Sequence, residues 1–449
     1  MFPICLFMLA ILPFFISKSF FIKIFDKKSF SLVKFIITFF LVFSISAISQ
    51  ENKIDSIKFI GNKRMDKTFL YHQIKCQTSN VLDSNAIKKD ITILNRLNGI
   101  SNAQFTTTKN ANSSFTITYI IKENFSLIPI ASVWTTNDVA AYRIGLYEYN
   151  LLGKNNTIGA FYQNNFFSSF GFNFASPQFF SSKFGLGFNF QNLSTKEPIF
   201  FKNATSTYKY TNTSAELFSN YQINFFNQIT FGFTIFNEKY DYISGFTDAF
   251  IPTNVNKDKR LLKLQYDYNN LKYNYFLLDG LKVNTYFQYV LTKNNYQEKF
   301  AIAWTDFLFY KQIGSNANWA SRLRLGLATN NNSPFAPFSV DNNLNIRGVG
   351  NIIDRGTGII VLNTEYRKTI LQKDWFVLQG NAFVDSGTWR NPGGNFSDFS
   401  DKTNLRVYPG IGLRFIHKTI YNAVFRLDYG YGITKNASNG IVFGVGQYF

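Results

Sequence analysis

Beyond residue 50 the chain never strings together more than a few apolar residues, although 46% of it is hydrophobic and 18% aromatic, with 53 Phe and 25 Tyr. A membrane-crossing helix needs about 20 apolar residues in a row, so that region cannot cross a bilayer as helices. The mean hydropathy of -0.08 requires apolar and polar side chains to be interleaved. Interleaving with period two is the pattern of a β-strand whose two faces meet different surroundings.

From Leu127 onward such segments recur, separated by Asn, Gly, Ser or Pro, and sixteen are predicted: 127–135, 141–149, 157–165, 168–175, 183–192, 207–219, 228–239, 260–268, 281–291, 298–309, 318–328, 358–367, 375–385, 405–415, 422–431 and 440–449. An even number suits a single-chain bacterial barrel. The later segments separate two chemistries. Leu405, Val407, Ile411, Leu413 and Phe415 share one face while Arg406, Tyr408, Gly410, Gly412 and Arg414 share the other; Leu323, Leu325 and Leu327 oppose Arg322, Arg324 and Gly326. A soluble sandwich also alternates, but it buries its greasy face against a second sheet. A membrane barrel turns that face to lipid and keeps Arg and Asp inside. In the last segment Ile441, Phe443, Val445 and Phe449 form the apolar row and the sequence stops on the aromatic, a feature of outer-membrane sorting.

Residues 1–49 read as a targeting segment. Lys27, Lys28 and Lys34 precede the apolar run Phe35 to Phe43, and Ala47-Ile48-Ser49 is a small-x-small cleavage site before Gln50. A second apolar stretch, Phe2 to Ile16, lies upstream. Removal of residues 1–49 takes away five Lys and one Asp, which leaves (46 − 5) − (27 − 1) = +15 from the full +19. A charge of that size suits anionic lipid head groups or a polar lumen, and export excludes nucleic acid as its partner. Cys76 is then the only cysteine, so no disulfide framework is expected.

Residues 50–124 hold most of the helical patterning that follows the targeting segment. Ile54 to Ile60 alternates as a strand; Gly61-Asn62 turns into a helix from Asp66 to Ile74. Asp83 or Ser84 caps a second helix through Leu97, with Ile87, Ile91 and Leu94 on one face. Two strands follow, Ser101 to Thr108 and Ser114 to Lys122, joined by Lys109-Asn110-Ala111-Asn112. The expected architecture is therefore an all-β transmembrane barrel of 16 antiparallel strands over 125–449, preceded by a small α+β domain of order β-α-α-β-β over 50–124.

Several motifs within this frame resemble the outer-membrane protein assembly factor family, BamA- and TamA-like, also called the bacterial surface antigen family. Residues 50–124 resemble one polypeptide-transport-associated (POTRA) domain, including Gly61-Asn62 and the helix exit Leu97-Asn98-Gly99-Ile100. Asn150-Leu151-Leu152-Gly153, Ser176-Pro177-Gln178-Phe179 and Leu277-Leu278-Asp279-Gly280 resemble turns of the family barrel. The most specific segment is Asn345-Ile346-Arg347-Gly348-Val349-Gly350, similar to the family's loop motif of aliphatic, Arg, Gly and aromatic, with Val349 at the aromatic position. Asn363-Thr364-Glu365-Tyr366-Arg367 and Phe383-Val384-Asp385-Ser386-Gly387 resemble the strands that follow it. The resemblance implies that this loop folds back into the lumen and that Arg347 pairs with Glu365 and Asp385. Alternation by itself turns both carboxylates inward, where each needs a partner.

The resemblance further implies a factor that assists insertion of β-barrel proteins into, or translocation of proteins across, the bacterial outer membrane. Its partners would be unfolded outer-membrane or secreted clients, periplasmic or lipoprotein accessory factors and outer-membrane lipid, with the front domain in the periplasm. The rival reading is a dedicated secretion pore of the two-partner type; a passive porin does not explain the loop motif or the front domain. Gly440, Gly444 and Gly446 thin the last strand and Pro129 removes a ladder donor from the first, so a seam that opens between them is expected. No enzyme is expected: His72 and His417 are the only histidines, and HExxH, GxSxG and phosphate-loop patterns are missing. Neither a metal nor a nucleotide cofactor is implied.

Overall fold

The computed structural model describes residues 52–449 apart from 137–138, 202–203, 248–251, 275, 293–298, 332–335, 341–344, 350–353, 422 and 436. The targeting segment 1–49 and Gly350 of the loop motif lie outside the described residues.

The front domain is built from Ile54–Ile60 (β1), Lys67–Gln73 (α1), Ser84–Leu94 (α2), Ile100–Lys109 (β2) and Phe115–Glu123 (β3). Each helix begins at an aspartate that supplies the acceptor its first turn lacks: Asp66 accepts from the Phe69 N–H and Asp83 from the Asn85 N–H. The sheet order is β1-β3-β2, with β3 parallel to β1 and antiparallel to β2. The inward residues Ile117, Tyr119 and Ile121 of β3 carry Leu70 of α1 and Ile87 and Leu94 of α2 in one core. Inside it Asp90 is fully buried and accepts from the Lys75 and Cys76 N–H groups (2.6 and 3.1 Å) and from the Tyr119 hydroxyl (2.8 Å). Burial, with Asp90 beside it, pushes the Cys76 thiol up to about 12. The folded protein is therefore expected to resist a maleimide at pH 8 and to react fully once denatured; rapid native labelling, read by mass spectrometry, contradicts this core.

The barrel strands are Leu127–Thr136 (β4), Val139–Leu151 (β5), Asn156–Asn164 (β6), Ser168–Ser181 (β7), Phe184–Phe201 (β8), Ala204–Gln222 (β9), Asn227–Gly245 (β10), Asn254–Asn269 (β11) with its short continuation Lys272–Asn274 (β12), Leu277–Leu291 (β13), Phe300–Ile313 (β14) and Ala317–Ala328 (β15). After a small hairpin, Phe338–Val340 (β16) with Asp354–Gly356 (β17), come Gly358–Gln372 (β18), Phe376–Arg390 (β19), Leu405–His417 (β20), Val424–Tyr431 (β21) and Asn439–Val445 (β22). With β11 and β12 pairing the same neighbour as one interrupted strand, sixteen antiparallel strands close a barrel with β22 beside β4. Each matches one of the sixteen alternating segments. Ile144, Phe172, Phe233, Leu264, Phe309, Leu362 and Leu413 point outward and are exposed, while Arg322, Arg367, Arg414 and Asp428 are buried inside. No helix among the described residues is long and apolar enough to cross a membrane; the strands carry the apolar belt instead.

Three predicted boundaries move. Leu277-Leu278-Asp279-Gly280 is not a hairpin turn: it opens β13, with Asp279 opposite Lys272, and Gly280 (φ +128°) lies beside the break between β11 and β12. Ser176 to Phe179 lies within β7, at a register shift against β8, rather than in the turn beyond. The last strand stops at Val445. Gly446 (φ +89°) turns the chain out of the sheet, so Phe449 does not continue the apolar row of Ile441 and Phe443 but packs inside against Leu271, Leu308, Tyr310 and Ala320.

The front domain seats on one end of the barrel through turns spread around its rim. Asp66 N–H donates to Gly153 O (3.1 Å), Gln73 to Gln178 (2.7 Å), Arg96 to Phe225, Asn269 and Leu271 carbonyls (3.1, 3.0 and 3.2 Å), and the Ser101 hydroxyl to Lys418 O (2.7 Å).

Candidate functional site

Residues 329–357 between β15 and β18 form the longest connection of the barrel, and its middle returns into the lumen. Arg347 is fully buried there. Its Nε and Nη2 donate to both oxygens of Asp385 on β19 (2.8 and 2.9 Å), its backbone N–H to Asp385 Oδ2 (2.9 Å), and its Nη1 to Glu365 Oε2 on β18 (2.6 Å). A planar guanidinium can fork in this way, whereas an ammonium cannot. The two carboxylates converge because Glu365 and Asp385 lie on neighbouring strands and share the inward face, with Glu365 paired to Phe383 and Asn363 to Asp385.

The site is larger than the three residues the sequence singled out. Arg414 of β20 donates to both oxygens of Glu365 (2.9 and 2.8 Å) and approaches Asp428 of β21 (3.4 Å); Arg367 pairs with Glu365, and Arg426 with Asp428 (3.4 Å). Four arginines thus face Glu365, Asp385 and Asp428, a surplus of 4 − 3 = +1, and aromatic faces meet it. The Arg347 guanidinium lies 3.6 Å from the Phe383 ring centroid and 4.6 Å from that of Tyr448, which also lies 4.8 Å from Arg426. Where the family motif carries an aromatic after Arg-Gly, this chain has the buried Val349. An aromatic ring reaches the arginine from the inward-turned tail.

The remaining motif residues fit the loop to the wall. Gly348 has φ +92°, and a Cβ there would meet the Gly430 backbone at 2.5 to 2.7 Å, so the loop lies directly on β21. Gly387 leaves room for the buried Ile346, whose Cδ1 would stand 2.9 Å from a Cβ at that position. Asn363 donates to Asn345 O (2.7 Å), and the Ser438 hydroxyl lies within hydrogen-bond distance of Val349 O (2.9 Å). Further along the loop, Asp354 pairs with Arg406 on β20 (3.0 Å) and the adjacent Arg355 with Glu197 on β8 (2.5 Å). Since β8 and β20 stand nearly opposite in the ring, this hairpin bridges the lumen. Alternation already put Arg367, Arg414, Arg426 and Asp428 on the inner face and could have found them. Nothing local marked Tyr448 or the hairpin.

At the seam β22 has seven residues against ten in β4. Phe443 faces outward and is exposed; Val445 is the last residue of the strand. Just before β4, Phe125 pairs not with β22 but with the turn after β20, its N–H donating to Thr419 O (2.8 Å) and its carbonyl accepting from Tyr421 N–H (3.1 Å). Among the described residues no group of His, Cys, Asp and Glu is arranged to hold a metal.

No family model and no curated protein matches the sequence. By structure the chain is similar to BamA from Haemophilus ducreyi lacking POTRA domains 1-3, at 18% identity over 87% of this chain and 83% of that one, with a TM-score of 0.50. It is also similar to CdiB from Acinetobacter baumannii (12% identity, 89% and 74% covered, TM-score 0.55) and to CdiB from Escherichia coli (11%, 88% and 75%, 0.58). At these identities the likeness is one of fold.

Proposed function

We propose that the protein is an outer-membrane assembly factor of the Omp85 type, which helps client β-barrel proteins fold into the bacterial outer membrane through its seam. The single observation that carries this reading is the seam itself. The closing strand is short, carries Gly440 and Gly444, and leaves the sheet at Gly446, while the approach to β4 is held by a different turn. Few ladder bonds then oppose separation of β4 from β22, and a parted β4 presents a free edge to which an extended client segment can add as a strand. The front domain, read as a POTRA domain in the periplasm, offers a second edge: β2 pairs with β3 on one side only, and Gln104, Thr106 and Thr108 share one face along it.

The likeness to the two CdiB barrels is at least as close as that to BamA, so a dedicated secretion pore is the second reading. A photoreactive residue at Phe443 in living cells separates them. Capture of several barrel precursors is the expected result; a single large secreted partner, caught instead from a lumenal position such as Gln288, overturns the assembly reading.

A further inference from the structure

Between the front domain and the barrel rim lies a cavity of about 770 Å³, bounded by α1 and α2 on one side and by the rim ends of β7, β9, β11 and β13 on the other. Its polar lining is mostly carboxamides, Gln73, Gln178, Asn220, Gln222, Gln265 and Asn284 among them; among the described residues its cations are Lys75, Arg96, Lys183 and Lys282 and its one acid is Asp267. A second cavity of about 370 Å³ lies toward the seam, lined by Ile416, Val424 and Gln447 of β20, β21 and the inward tail. Arg96 lines both. Its guanidinium stretches across to three rim carbonyls and lies 4.4 Å from the Phe225 ring centroid, while its buried Nε has no hydrogen-bond partner among the described residues. Burial lowers its pKa from the usual arginine value.

We propose that the larger cavity is a vestibule that binds an extended, unfolded polypeptide segment, and that Arg96 is the divider such a segment displaces to reach the inner side of the seam. The inference rests on the assembly reading and adds the place and chemistry of client entry. A carboxamide offers the same donor and acceptor as a peptide group, so it can satisfy a backbone without reading sequence. The lining already makes that pairing with itself: Gln73 and Gln178 exchange reciprocal hydrogen bonds of 2.7 and 2.8 Å. Asn284 Oδ1 is buried and has no partner among the described residues, an acceptor for a backbone N–H. The three side-chain hydrogen bonds of Arg96 all go to backbone carbonyls, which hold it by geometry rather than by a buried counter-charge. An incoming segment can therefore take its place without leaving an acid unpaired.

The test uses the purified full chain in detergent and a short uncharged Ser/Thr/Val peptide bearing one benzophenone. Irradiation of the wild type is expected to place adducts within 220–228, mapped by mass spectrometry. Paired Asn220→Ala and Gln222→Ala changes are expected to lower that labelling about fivefold, the loss of one or two neutral hydrogen bonds. Arg96→Ala is expected to spread adducts to 416–424 and 441–445, with native protection of Cys76 showing that the front domain remains folded. The proposal is overturned by wild-type labelling that avoids 220–228, by labelling that a chitin oligosaccharide displaces, or by an Arg96→Ala adduct map identical to the wild type. Should that variant lose Cys76 protection, the Asn220 and Gln222 pair decides. Failure here while barrel precursors are still captured at Phe443 removes the vestibule alone; the reverse removes the assembly reading.

Discussion

Arg347→Ala is expected to release the loop from the barrel wall while leaving the protein inserted in the membrane. The change removes three of the four hydrogen bonds that Arg347 donates, keeps only the backbone one to Asp385, and strands Asp385 without a guanidinium. Breaking one side of a buried ion pair typically costs about 3 to 5 kcal/mol, whereas the sixteen-strand ladder is untouched. Heat-modifiable gel mobility is therefore expected to persist at a lowered transition temperature, protease cleavage within 329–357 to accelerate, and client levels to fall. Lysine is expected to rescue little, because it cannot address Asp385 and Glu365 together or stack between Phe383 and Tyr448. Wild-type mobility and wild-type client levels in Arg347→Ala would show that the lumenal pairing has no functional weight.

Glu365→Gln is expected to damage the barrel itself, and more severely. Glu365 accepts from Arg347, Arg367 and Arg414, and so ties β18 to β20 across β19 as well as to the loop. Neutralising it leaves four buried arginines facing Asp385 and Asp428 alone, a surplus of 4 − 2 = +2. The amide also turns a donor toward guanidinium groups that only donate. The expected outcome is loss of the heat-modifiable folded form at temperatures where Arg347→Ala retains it. Equal transition temperatures for the two variants would mean that Glu365 serves the loop only.

The wall of the barrel was legible in the sequence because period-two alternation in a lipid-facing sheet is forced residue by residue: outward Leu325, Leu362 and Leu427 are followed by inward Gly326, Asn363 and Asp428. That is why all sixteen strands fall on alternating segments. Ends are less legible, since they depend on what the next element does. The strands β8 to β11 run on past their alternating cores, and β22 stops early because Gly446 turns the chain inward. The loop motif marked Arg347, Glu365 and Asp385, and the structure brings these three side chains together. Arg367, Arg414 and Arg426 lie on the inner faces of the neighbouring strands β18, β20 and β21, where alternation already turned them; Tyr448 and the bridge from Asp354 and Arg355 to opposite walls arise from the loop and the tail folding back into the closed ring, which brings together residues far apart in sequence. Arg96 was unreadable for the same reason, as its partners follow it by 129 to 175 residues.

The scattered seats of the front domain impose an order on biogenesis. Gly153, Gln178, Phe225, Asn269 and Lys418 belong to different hairpins, and the last of them does not exist as a surface until β20 and β21 have paired. Contacts of such sequence separation carry a large closure entropy and form late. On the reading of residues 1–49 as a targeting segment, the first folded part of the chain to leave the translocation machinery is therefore the last to find its resting place. Until then it is a tethered, folded module with an open sheet edge, present beside an unfinished barrel that is itself made of unpaired strands.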